Sequence, residues 1–151
     1  MVGATLRPVR WATLCLVLAF ASCNDVRAYE GMWTGKRVGD TPALRVGISD
    51  DATATLAIDG IDTHGMRGHL TISSLVSDAE VASLAGAEAD VLSGITFNGS
   101  PQRVYLSFVP VPDGGGEALA VIALYDQTRI EVRVLRGGTM PLYAIFALAQ
   151  T

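Results

Sequence analysis

The sequence predicts an all-β fold. The expected architecture is an antiparallel meander of eight or nine strands closing into a small up-and-down barrel, with one short helix near residues 78–85. Three observations point there. Thr128–Arg136 alternates, with Ile130, Val132 and Val134 on one side and Arg129, Glu131 and Arg133 on the other. That period of two suits a half-buried strand and not a helix. Its neighbours, Ala118–Tyr125 and Met140–Ala149, are apolar on both faces, so both are expected to be covered on both sides. Short runs of Gly, Asp, Asn and Pro separate the strands throughout, as tight turns require. About eight sequential antiparallel strands can close on themselves and so remove exposed edges. A β-sandwich is the alternative packing of the same strands.

Taken in order, the domain opens with a strand at Gly31–Val38, and Gly39-Asp40-Thr41-Pro42 ends it. Ala43–Ser49 reads as the next strand, Asp50-Asp51 as a turn, and Thr53–Ile58 as the return. Asp59–Gly65 has loop composition, and Met66–Val76 reads as a further strand with Leu70 and Ile72 inward. Ser77-Asp78-Ala79-Glu80 fits a capping box, and Val81, Leu84 and Ala85 follow at helical spacing. A helix is therefore expected over Asp78–Ala85. Asp90–Phe97 and Gln102–Val109 flank Asn98-Gly99, the strongest short-range hairpin signal. The loop Pro110–Gly116 then leads into the three C-terminal strands, turned at Asp126-Gln127 and Gly137-Gly138-Thr139.

At 151 residues the chain makes one domain, 29–151, preceded by an export leader at 1–28. Arg7 and Arg10 precede an uncharged apolar run, Trp11–Ala21, which at eleven residues is too short for a membrane span of about 20. Two processing sites compete. Val26-Arg27-Ala28 suits the ordinary signal peptidase and would leave Tyr29 first. Phe20-Ala21-Ser22-Cys23 resembles a bacterial lipobox and would leave a lipidated Cys23 first, anchoring the domain to a membrane without spanning it. The location expected is extracytoplasmic, periplasmic or secreted. Cys15 leaves with the leader, so no disulfide, thiolate nucleophile or cysteine metal site is expected in the domain. From Tyr29 onward eight basic residues face fourteen acidic ones, a balance of −6. Scattered arginines on an acidic chain argue against nucleic acid as a partner.

Gly31-Met32-Trp33-Thr34-Gly35 resembles the first strand of calycin-like barrels, the lipocalins and avidins. Those families open on Gly-x-Trp, with the indole packed across one barrel end. The chain is also similar to a short all-β module of secreted bacterial proteins. That module begins with Trp-x-Gly, has a middle hairpin like Ile95-Thr96-Phe97-Asn98-Gly99, and introduces its last strand with Gly-Gly-x-x-Pro-Leu, here Gly137–Leu142. The resemblance implies a barrel that binds a small apolar molecule or a partner protein, without catalytic residues. Lipocalins pack a basic residue from a late strand against the Trp. Met140–Ala149 has none, so Arg133 or Arg136 would have to serve, and Ser77–Ala89 has no counterpart in the family.

Candidate ligand-binding residues are Trp33, Phe97, Tyr105, Phe108, Tyr125 and Tyr143, which with Phe146 either line a cavity or fill the core. Asp59, Asp62, His64 and His69 have metal-ligand chemistry, but their spacing fits turn residues better than a metal site, and no cofactor is expected. No serine lies in Gly-x-Ser-x-Gly, and Asp50-Asp51 points into water from a turn, so no enzyme is expected. Two functions remain open. One is an exported non-enzymatic barrel that binds a small apolar ligand. The other is a protein-binding module, an inhibitor or envelope assembly factor, with a filled core.

Overall fold

The computed structural model describes residues 25–39, 48–62, 64–73, 75–84, 97, 99–111, 116–139 and 141–151. A 3-10 turn at Val26–Tyr29 leads into eight strands: β1 Gly31–Val38, β2 Thr53–Ile61, β3 Gly65–Ile72, β4 Val76–Leu84, β5 Arg103–Val111, β6 Gly116–Asp126, β7 Arg129–Arg136 and β8 Leu142–Gln150. Each pairs antiparallel with the next, and β8 returns to β1, so the meander forms a nearly closed barrel. The seam lies between β4 and β5. Among the described residues they share one ladder pair, Leu84 with Leu106.

Alternation builds the interior. Trp33, Leu56 and Leu70 are in register across β1, β2 and β3, and all are fully buried. Tyr105, Ile122, Val132 and Phe146 make the matching row across β5 to β8. These side chains belong to one continuous apolar cluster. An eight-stranded barrel is just wide enough for its inward side chains to fill. Small strands also approach closely. A Cβ on Gly35 would collide with the Ala147 carbonyl, and one on Gly68 with the Ala57 carbonyl, so both positions exclude a side chain.

Three expectations change. The helix expected over Asp78–Ala85 is not formed: Asp78–Leu84 runs in β4, paired with β3 from Gly65↔Leu84 to Leu70↔Ala79, and Ala85 lies outside the described residues. Ala79 and Val81 turn inward while Asp78 and Glu80 face out, a period of two that the short helical spacing concealed. Ladder partners and a place in the core outweighed the capping-box propensity. The strand expected over Met66–Val76 is broken by a turn, closed by Leu75 N–H donating to the Ile72 carbonyl at 3.0 Å. No Gly or Pro marks that turn. Instead the Ser73 hydroxyl accepts from the Thr53 N–H, tying it to β2. Finally, Glu131 and Arg133 do point away from the core, yet both are buried. The strand expected at Ala43–Ser49, apart from Ile48 and Ser49, lies outside the described residues. So does the hairpin arm expected at Asp90–Phe97, apart from Phe97, and so does Asn98.

Candidate functional site

The six candidate aromatics divide between two faces of the wall. Trp33 and Tyr105 point inward near one barrel end, with 0% and 1% exposure. The Trp33 indole N–H donates to the Tyr29 carbonyl at 2.8 Å, and the two rings stack with centroids 6.0 Å apart. The Tyr105 hydroxyl donates to the Asp62 carbonyl at 2.9 Å. Burial of these rings pushes both tyrosine phenols above their ordinary pKa. Tyr29 thus stands where the resemblance would put a basic residue. Arg133 lies on the outer wall, and Arg136 is at the opposite end of β7.

Phe97, Phe108, Tyr125 and Tyr143 belong to the outside. Ladder register sets Phe108, Leu119, Leu135 and Tyr143 side by side across β5, β6, β7 and β8. Directly opposed residues on antiparallel strands share a face, so this is one apolar row crossing four strands. Phe108 is 62% exposed, and the other three are half-buried. The next row runs Leu106, Val121, Arg133 and Ile145, then reaches Val38 of β1, which is also exposed. The opposite wall differs in chemistry: β2, β3 and β4 present Thr53, Arg67, His69, Thr71, Asp78 and Glu80 to solvent.

A charged cluster sits on the same outer face, starting from Arg133 of the second row. Arg133 Nε donates to Glu131 Oε1 at 2.5 Å, with 4% and 5% of the two side chains exposed. The Arg133 guanidinium lies 5.0 Å from the Phe97 ring centroid, and Arg129 covers Tyr125 at 3.9 Å. Cationic groups over ring faces gain attraction there. Burial, then the Glu131 carboxylate, pushes the Tyr125 phenol upward. Val121, Ala123 and Tyr125 are buried on this same outer face, outside the interior cluster.

The barrel mouth beside Tyr29 carries an open groove of about 720 Å³, lined by Arg27, Glu30, Asp59, Asp62, His64 and Arg67 over Ile61 and Met66. Asp62 accepts from the His64 and Gly65 N–H groups at 2.7 and 2.9 Å, which lowers its pKa. His69 stands apart on the outer wall, 3.2 Å from Asp78 and 3.9 Å from Asp59. The four residues with metal-ligand chemistry therefore form two separate pairs, Asp62 with His64 and Asp59 with His69. Among the described residues no group of three or more His, Cys, Asp or Glu is placed to hold a metal ion.

Sequence reasoning overlooked two features. The sequence alone places Tyr29 at the edge of the domain, and only its aromatic character four residues before Trp33 hints at the stack. The apolar row was visible as strands greasy on both faces, but that pattern reads equally as burial. Comparison with family models, with curated proteins and with solved structures returns no match to the chain.

Proposed function

We propose that the protein is an exported, non-enzymatic barrel that binds a partner protein of the cell envelope through the outer wall of β5–β8. The observation that carries this reading is the apolar row Phe108–Leu119–Leu135–Tyr143, facing outward on one side of a barrel whose other side is polar. Phe108 is 62% exposed at one end of that row, with Leu119, Leu135 and Tyr143 half-buried beside it, and exposed apolar surface on a small domain marks interaction sites. An aromatic anchor such as Phe108 is the residue type that concentrates interface energy. The filled interior supports a protein partner over an enclosed small ligand, because only two of the six candidate aromatics turn inward and both are fully packed. The meander order and the Trp33 indole across one end are compatible with a calycin-like ancestry.

Native mass spectrometry of protein purified from its host distinguishes the two functions. A partner-binding barrel sprays free of any small molecule, and it captures its partner only while Phe108 is intact. Phe108→Asp abolishes capture with the thermal melt unchanged, since the ring is already exposed. A small apolar ligand released from the folded barrel would overturn the proposal.

A further inference from the structure

The two edges of β5 differ. On one side the strand pairs with β6 along its whole length, from Arg103↔Leu124 to Val111↔Gly116. On the other, among the described residues, only Leu106 has a ladder partner, Leu84 of β4. Residues 107–111 of β5 and 76–83 of β4 run on without pairing to each other. Backbone groups along a strand point to alternate neighbours, so this edge of β5 presents N–H and C=O groups that the β4 ladder does not take.

The break lies in the backbone layer and not in the core. The inward side chains on its two sides, Ala79, Val81, Ser107 and Val109, are all buried. Pro110 suits the place, because it has no N–H to offer and sheets hold proline at edges and bulges. Phe108 stands on the same edge. Leu119 of β6 flanks it on one side, and no ladder partner from β4 flanks it on the other, which accounts for its 62% exposure. Across the break, β4 presents the exposed carboxylates of Asp78 and Glu80. Continued in the register of Leu84↔Leu106, Glu80 would stand opposite Pro110.

We infer that the partner is bound by strand addition: an extended segment of it pairs with the 107–111 edge of β5, beside Phe108. This deepens the proposal above and rests on it. In strand addition main-chain hydrogen bonds supply the affinity, and alternate side chains supply the selectivity. Entry requires β4 to swing aside below Leu84, carried by its long ladder with β3. The segment's outward side chains then lie between an apolar lip, Leu106 and Phe108, and an acidic one, Asp78 and Glu80. The recognised segment therefore has an apolar residue at the level of Phe108 and a basic residue two positions along, at the level of Glu80. Its inward positions, over a filled core, take small side chains.

The test titrates the isotopically labelled full chain with a synthetic peptide of repeated Val-Thr-Lys-Thr and reads backbone amide shifts by NMR. Strand addition predicts shifts at residues 107–111 of β5 and 78–80 of β4. Both are lost when the peptide's backbone nitrogens are methylated, and both are lost when Glu replaces Lys in the repeat. Binding that survives methylation is a side-chain contact alone and overturns the inference. Equal binding of the Glu peptide overturns it through the acidic lip. Absence of shifts at 107–111 also overturns it, as do shifts there that grow with protein concentration alone, the mark of a second copy on the edge. The partner reading is judged separately, by Phe108-dependent capture. If Phe108→Asp leaves capture intact, that reading fails and takes this inference with it; if capture is lost but the peptide does not bind the edge, only the inference fails.

Discussion

Glu131 and Arg133 pair at 2.5 Å on the outer face of β7, and about a twentieth of each side chain reaches solvent. Two residues apart on one strand, they share a face. Val132, between them, points into the core at 0% exposure. All three positions are therefore dry, though they lie on opposite sides of the wall.

Substitution of either face should consequently be severe. From alternation alone, Val132→Asp is expected to unfold the domain and Arg133→Asp to be tolerated. The buried pair reverses the second expectation. Arg133→Asp leaves two carboxylates together under cover, and breaking a buried pair costs about 3–5 kcal/mol. Urea denaturation is expected to show both variants strongly destabilised. Replacing both partners, Glu131→Met with Arg133→Leu, should restore most of the loss, since an apolar pair has no charge to desolvate.

The contrast shows how far the sequence could be read. Period-two alternation told which way Ile130, Val132 and Val134 face, and the C-terminal strands fell where expected. It could not tell what covers the other face, because Glu131 and Arg133 look the same in solvent or beneath a neighbour. The helix expected at Asp78–Ala85 failed for a related reason. Ala79 and Val81 fit both periods, and only pairing with β3 decides between them. The turn at Ser73 lacks Gly and Pro, and the packing role of Val26 is hidden in the sequence by its closeness to the apolar N-terminal run.

Close strand approach gives a second prediction. Gly68→Ala forces the new methyl into the Ala57 carbonyl, so the strands must separate. Overpacking of this kind costs typically 1–3 kcal/mol, and the backbone contact puts Gly68 toward the upper part of that range. A melt lowered by roughly 10 °C is expected. Gly137→Ala, with nothing near its Cβ position, should melt close to the parent.

At the barrel mouth, Trp33→Phe keeps an aromatic ring but removes the indole donor to the Tyr29 carbonyl and leaves part of a fully buried site empty. The missing hydrogen bond alone is expected to cost about 1 kcal/mol, and the unpaired carbonyl and the void left by the smaller ring add to it. Tyr29→Ala removes the stacked ring itself and should cost about 3–5 kcal/mol, as for other buried aromatics. Denaturant midpoints of the two variants would rank Tyr29→Ala well below Trp33→Phe.

Stability should also fall at both ends of the pH scale. Asp62 and Asp126 accept hydrogen bonds that hold their carboxyls below the usual range. A depressed folded pKa gives stability that is present above the unfolded value, about 4, and lost as pH falls through the folded one. Tyr29, Tyr105 and Tyr125 are shifted the other way by burial. Their contribution is full below the unfolded value, about 10, and lost as pH rises through the folded one. Melting temperatures between pH 2 and 12 should therefore trace a plateau with a fall on each side. Asp62→Asn should shallow the acid fall, and Tyr125→Phe the alkaline one.

The most direct test of the proposed function is site-specific photocrosslinking in the host envelope. The probe replaces Phe108 on the apolar wall, with Thr71 on the polar wall as the control. The account predicts a single discrete adduct with another envelope protein from position 108 and none from 71. Adducts from both positions alike, or from 108 only with a second copy of this chain, would contradict it.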